Sequence, residues 1–175
     1  IIDEDLNDSQ IKALYLLSDI FVAPSRGEGF GLPIGEAMLL GIPVITTNWG
    51  GQLDFCDSNN SWLLDYDFSP ARTHFKLQMS YWAEPSSNHL TFLLKSLHGM
   101  PIEEINKKTI LAKENVKSLT WTNIVEKNIK FYNSLREKNN LNNPKIGWVT
   151  TWGIKCGISS YSFNLLSNIS QKITI

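Results

Sequence analysis

Two rhythms of apolar and polar positions run through the first half of this chain. Between Asn7 and Ser18 the residues Ile11, Leu14, Tyr15 and Ser18 recur at helical spacing. Asn7 followed by Gln10 has the form of a capping box, so a helix is predicted to begin there. Asp19-Ile20-Phe21-Val22-Ala23-Pro24 is then a short apolar strand stopped by proline. Pro33, at a helix start where a missing N–H is tolerated, opens a second helical run through Leu40, which Gly41 ends. Pro43 to Thr47 and Trp62 to Asp65 read as further buried strands, with Trp49-Gly50-Gly51 as the turn between them.

Strand, helix and strand joined by short connections predict a parallel sheet covered by helices. Uninterrupted apolar strands fit that arrangement, because both of their faces are buried. Asp67 to Tyr81 shows no clear period and reads as a loop. Asn88–Leu97, Ile102–Lys117 and Thr122–Glu137 read as three helices.

The pattern changes over residues 138–144, where four asparagines and a proline cannot continue a helix and bury nothing. That stretch reads as a linker between a first domain, 1–137, and the head of a second, 145–175. In the second, Lys145 to Val149 is a strand, Gly153 to Gly157 a glycine-bearing loop and Ser159 to Ile169 a helix. Both ends look cut: the chain starts Ile1-Ile2-Asp3 and stops at Lys172-Ile173-Thr174-Ile175, which resembles the opening of a strand. The expectation is an excerpt of a longer polypeptide.

Composition narrows the partners. With 42% apolar residues and a net charge of −1, the 175-residue chain is that of an ordinary globular protein, without the basic balance that binds nucleic acid. Cys56 and Cys156 lie too far apart to suggest a disulfide framework or zinc site, so the default setting is reducing and cytoplasmic. No His/Cys cluster is present, so no metal is expected. His74, His89 and His98 are scattered and read as surface or packing residues.

The chemistry concentrates in Ser25-Arg26-Gly27-Glu28-Gly29-Phe30-Gly31-Leu32-Pro33-Ile34-Gly35-Glu36, where a strand hands over to a helix. The first N–H groups of a helix lack intrahelical partners and carry the positive end of its dipole. A phosphate is held there if the backbone can come close, which Gly29 and Gly31 permit. Phe30, Gly31 and Leu32 therefore present amides suited to a diphosphate. Carboxylates repel phosphate but accept paired hydrogen bonds from vicinal hydroxyls. Glu36, about one turn into the helix, is within reach of a ribose, and Glu28 lies at the other end of the diphosphate. One acid per sugar with phosphate between describes a nucleotide-sugar. Read singly, Glu36 fits a complement to the helix dipole equally well, and Glu28 a solvated loop position. The Gly27-x-Gly29-x-Gly31 run misses a dinucleotide fingerprint, because Ile34 stands where a third glycine belongs.

The stretch YLLSDIFVAPSRGEGFGLPIGEAMLLGIPVITTNWGG resembles the donor-binding segment of family 4 (group 1) retaining glycosyltransferases of the GT-B fold. It carries two glutamates separated by seven residues, Glu28 and Glu36, then Glu36-Ala37-Met38 and Gly41-Ile42-Pro43-Val44. Tyr81-Trp82-Ala83-Glu84-Pro85 with His89, and Ser118-Leu119-Thr120-Trp121, resemble later parts of such domains. Taken alone, Trp82 and Trp121 read as core anchors.

The resemblance implies an α/β, Rossmann-like parallel sheet, part of a GT-B carboxyl-terminal domain with terminal helices, followed by the first piece of a second α/β domain. It implies that Glu28 contacts the transferred sugar as the catalytic residue. Phe30, Gly31 and Leu32 would hold sugar hydroxyl and diphosphate, and Glu36 the ribose. Gly50-Gly51 is a candidate for lining the same site, with a plain turn as the alternative, and Arg26 favours a structural ion pair over a phosphate clamp. The head KIGWVTTWGIKCGISSYSFNLL resembles an amino-terminal glycosyltransferase domain, in which Gly157 would approach the diphosphate.

The implied activity is transfer of a sugar from a nucleotide-sugar donor to the hydroxyl of a glycan or lipid-linked acceptor, with retention, in surface-glycan synthesis. That work would be cytoplasmic, at the inner face of the membrane. No cofactor or metal is implied. The Arg and Lys with which such enzymes neutralise the diphosphate, and their amino-terminal domain, would precede Ile1, so the excerpt is expected to be inactive alone. Two alternatives stay open: a non-catalytic module that binds nucleotide-sugar or glycan, and an epimerase or phosphorylase of the same fold.

Overall fold

A computed structural model of the chain describes residues 3–72, 79–139 and 167. Two compact units divide it, Ile1–Lys117 and Ser118–Ile175. The first helix, α1 (Asp8–Leu16), opens with the capping box that the sequence predicts: the Asn7 side chain accepts from Gln10 N–H, and the Gln10 side chain accepts from Asn7 N–H. Strand β1 (Phe21–Ala23) follows, then α2 (Leu32–Leu39) and β2 (Val44–Thr47). Helix α2 begins at Leu32, one residue before the expected Pro33, which takes the second helical position. Gly41 ends it in a Schellman arrangement. Its N–H bonds Met38 O and Ile42 N–H bonds Ala37 O, with Gly41 at φ +79°, where a side chain would be strained.

A short 3₁₀ turn, η1 (Gly51–Asp54), leads on towards β3 (Trp62–Leu64). The three strands form one parallel sheet in the order β1-β2-β3, with Val22 opposite Ile45 and Ile45 opposite Trp62. Every residue of β2 is buried, as a central strand covered on both sides must be. On one face Ile45, Trp62 and Leu64 join Leu93 and Leu97 of α3 (Ser87–His98), with Val22 packed alongside. Helix α2 covers the other face with Ile34, Ala37 and Met38 buried, and α4 (Ile102–Lys117) lies against α2. Burying a Leu or Ile fully contributes about 1.5–3 kcal/mol, so this double layer is what fixes the ends of β1 and β2 in space.

The expected loop from Asp67 to Tyr81 is strand at both of its ends. Strand β4 (Tyr66–Pro70) pairs antiparallel with β5 (Tyr81–Pro85). Tyr66 and Phe68 alternate with Asp67 and Ser69, a two-residue period too short to stand out beside the prolines that interrupt it. Helix α5 (Trp121–Asn139) runs two residues into the stretch expected as a linker. The rest of that stretch, the strand from Lys145 and the loop at Gly157 lie outside the described residues.

Candidate functional site

Two loops meet at the carboxyl ends of β1 and β2. The first runs from Pro24 to Gly31 and delivers the chain to α2; the second, Asn48 to Gly50, delivers it to η1. In open parallel sheets this edge is where ligands bind. Gly51 N–H donates to Glu28 O at 2.8 Å, which stitches the loops together. The approach is close enough that glycine is required at Gly51: a Cβ there would fall inside the van der Waals radius of the Gly29 carbonyl oxygen. Gly31 caps α2 at φ +89°, and a Cβ on it would press on Ile34 and Gln52.

Gln52 is the fastening that the sequence did not single out. Its side chain is wholly buried, and its Nε2 donates to the backbone oxygens of Thr47 and Trp49, both at 2.9 Å. It thereby holds the end of β2 and the following turn beneath the first loop. Its Oε1 and the hydroxyl of Thr47 are buried without a hydrogen-bond partner among the described residues. A polar residue directly after two glycines was the available signal.

Among the described residues, none accepts a hydrogen bond from the Phe30, Gly31 or Leu32 N–H groups, which lie at the start of α2. The Phe30 ring, exposed, rests against Phe55 with centroids 5.1 Å apart, and Leu32 is exposed on the same lip. Glu28 is half-buried on the loop and Glu36 exposed on the helix. Glu36 is the fifth residue of α2, beyond the first turn where the dipole acts, so a dipole complement does not account for it. Its Oε2 accepts from Tyr15 Oη at 3.0 Å.

Arg26 is engaged elsewhere. Its Nε and Nη2 donate to the two carboxylate oxygens of Glu84 at 2.6 and 2.7 Å, and its guanidinium lies 4.6 Å from the centroid of the Trp82 ring. Trp82 in turn donates to Ser69 Oγ, and Ala83 N–H to Arg26 O. The hairpin thus braces the glycine loop; Trp82, expected in the core, is instead half-buried beside Arg26 and Ser69. Hydrogen bonding from Arg26 holds the Glu84 carboxyl below the ordinary carboxylate range. A depressed folded value stabilises above the unfolded value, and the effect is lost as pH falls through the folded value. Arg26→Ala is therefore expected to lower the unfolding midpoint modestly at neutral pH, with the gap to the parent closing in acid below about pH 4. Thermal unfolding of both proteins across that range checks it; a gap independent of pH would rule out the ion pair as the cause.

The remaining candidates are structural. His89 Nδ1 accepts from Asp65 N–H at 3.0 Å and its ring stacks on Phe92, which docks α3 to the start of the hairpin. Cys56 is buried, which pushes its thiol up to about 12 and makes it inert. Among the described residues no group of three or more His, Cys, Asp or Glu side chains could hold a metal ion, and no helix is long and apolar enough to cross a membrane.

Residues 4–70 match the family described as Glycosyl transferases group 1. That match contains the glycine loop, both acids and the Gly50-Gly51 turn. The chain is also similar to the O-antigen biosynthesis glycosyltransferase WclY of Escherichia coli, at 63% identity over 30 residues, or 17% of this chain and 8% of that protein. With O-antigen chain mannosyltransferase B of Escherichia coli it shares 51% identity over 41 residues, 23% of this chain and 11% of that one. Among solved structures it resembles the C-terminal domain of a glycosyl transferase group 1 family protein, LpcC, from Francisella tularensis. That likeness has a TM-score of 0.50 and 26% identity, covering 67% of this chain and 51% of the other. The chain spans about a tenth of the length of the curated relatives it matches. The α/β architecture expected from the sequence, a parallel sheet flanked by helices, is that of this domain.

Proposed function

We propose that residues 1–137 form part of the donor-binding domain of a retaining glycosyltransferase that takes a nucleotide-sugar and transfers a hexose to a glycan or lipid-linked hydroxyl. The observation that carries this reading is the stitched pair of loops at the sheet edge, with free amides at the start of α2 and Glu28 and Glu36 before and after them in the chain. Unpaired N–H groups at a helix start favour a diphosphate, and they favour it more as negative charge grows on the leaving group. Preorganised donors of that kind cost no reorganisation when the anomeric bond breaks. Phe30, Gly31 and Leu32 supply the amides, Glu36 accepts from the ribose hydroxyls, and Glu28 faces the transferred sugar. A half-buried carboxylate beside the anomeric centre would stabilise developing positive charge there. Arg26, committed to Glu84, takes no part in holding phosphate. The names of the curated relatives favour surface polysaccharide as the acceptor class, and work at the inner face of a membrane would suit that acceptor.

Glu36→Ala in the full-length chain is expected to weaken binding of the nucleoside diphosphate by about tenfold to a hundredfold, the loss of hydrogen bonds to a charged acceptor. The unfolding midpoint should barely move, because the side chain is exposed. Calorimetric titration with uridine, guanosine and adenosine diphosphates reads the affinity, thermal unfolding the midpoint, and diphosphate release from their sugar conjugates the turnover. Unchanged affinity would remove the ribose assignment. Binding without any transfer to a panel of hydroxyl acceptors would favour the non-catalytic module instead.

A further inference from the structure

Tyr15 has no place in the reading above, yet its hydroxyl reaches 21 positions along the chain to Glu36. Its ring is half-buried and packs on Phe21 at 5.5 Å, so the phenol is carried on a fixed support. Burial and the hydrogen bond to Glu36 both retain the phenolic proton, which pushes Tyr15 up to about 12. The phenol therefore keeps its proton at neutral pH and can donate it to the carboxylate.

Two consequences follow from this geometry. First, Glu36 is an exposed, three-torsion side chain that would otherwise lose rotamer freedom on meeting a ligand. The Tyr15 bond fixes one carboxylate oxygen beforehand, which lowers the ordering cost of binding. Second, the edge they present contains acceptors alone: Oε1 of Glu36, the second lone pair of Oε2, and the lone pairs of Tyr15 Oη. A ligand group meeting this edge must bring donors. Two neighbouring hydroxyls suit it, whereas a phosphate there would be repelled.

We propose that Tyr15 is a positioning and specificity-determining residue which, with Glu36, recognises the 2′,3′-diol of the donor's ribose and discriminates against 2′-deoxyribose. This rests on the assignment of Glu36 to the ribose. A tie that only fastened α1 to α2 would alter stability and leave sugar discrimination untouched.

The test measures dissociation constants of uridine, guanosine and adenosine diphosphates and of their 2′-deoxy forms. It compares the full-length parent with Tyr15→Phe and Glu36→Ala, and records the unfolding midpoint of each protein. For whichever base binds, the parent should prefer the ribose form by about tenfold, one hydrogen bond to a charged acceptor. Tyr15→Phe keeps the ring on Phe21 and should cut that preference to about threefold or less, with the midpoint little changed. Retention of the full preference in Tyr15→Phe while Glu36→Ala abolishes it would overturn the role of Tyr15 and leave Glu36 on the ribose. Retention in both variants would overturn the ribose assignment and Tyr15 with it. Failure of every nucleoside diphosphate to bind the parent would overturn the donor-site reading itself.

Discussion

Gly51→Ala should be the most damaging single methyl group in the described part of this protein. Its Cβ would collide with the Gly29 carbonyl and crowd the Phe30 nitrogen, and both are backbone atoms that cannot rotate aside. The only relief is to part the two loops, which breaks the Gly51 N–H to Glu28 O bond and lifts Gly29–Gly31 from the sheet edge. Overpacking against backbone together with one lost, half-buried hydrogen bond costs about 2–4 kcal/mol. Because that displacement also scatters the amides at the head of α2, affinity for a nucleoside diphosphate should fall by more than about a hundredfold. Urea unfolding and calorimetric titration measure the two effects separately. A variant as stable and as tightly binding as the parent would mean that the loops do not meet as described. Gly29→Ala is the natural control for the stability effect alone, since a Cβ at Gly29 meets no protein atom within 4 Å.

Glu28→Gln is expected to produce the second large effect, on turnover. The substitution keeps the size of a half-buried side chain whose Cγ lies beside Gly31, so the loop has no reason to move. It removes a full negative charge from the place where, on the proposed reading, positive charge develops at the sugar. Removing one preorganised stabilising group of this kind costs about 10²–10³ in kcat. Binding of the nucleoside diphosphate, made by amides and by Glu36, should stay within about threefold of the parent. Single-turnover kinetics with a nucleotide-sugar donor read the chemical step alone. If turnover persists while affinity drops, Glu28 binds the donor and takes no part in the chemistry.

The elements most legible in the sequence were those whose causes are local. The Asn7 capping box, the apolar run of β2, the glycine stop after α2 and the limits of α4 each follow from residues within one or two turns of one another. Both acids and the glycine loop were visible for the same reason, since the strand-to-helix handover that gives them meaning spans only twelve residues. The hairpin was missed because each of its strands is short and the partner that makes it a strand lies far along the chain. Gln52 was missed because a buried amide looks like any other polar residue until the backbone oxygens it serves are in place.

Sequence by itself determined the succession from α1 through β1, α2 and β2 to β3 and the parallel character of their sheet. Apolar periodicity, caps and glycine freedom act over a few residues and are written in the residues themselves. Only the tertiary structure decided who holds whom: Tyr15 with Glu36, Arg26 with Glu84, Gly51 against Gly29. Those pairs stand 21, 58 and 22 residues apart. Their contact depends on a sheet register and a helix packing that many side chains set together, and no short stretch of the chain contains that information.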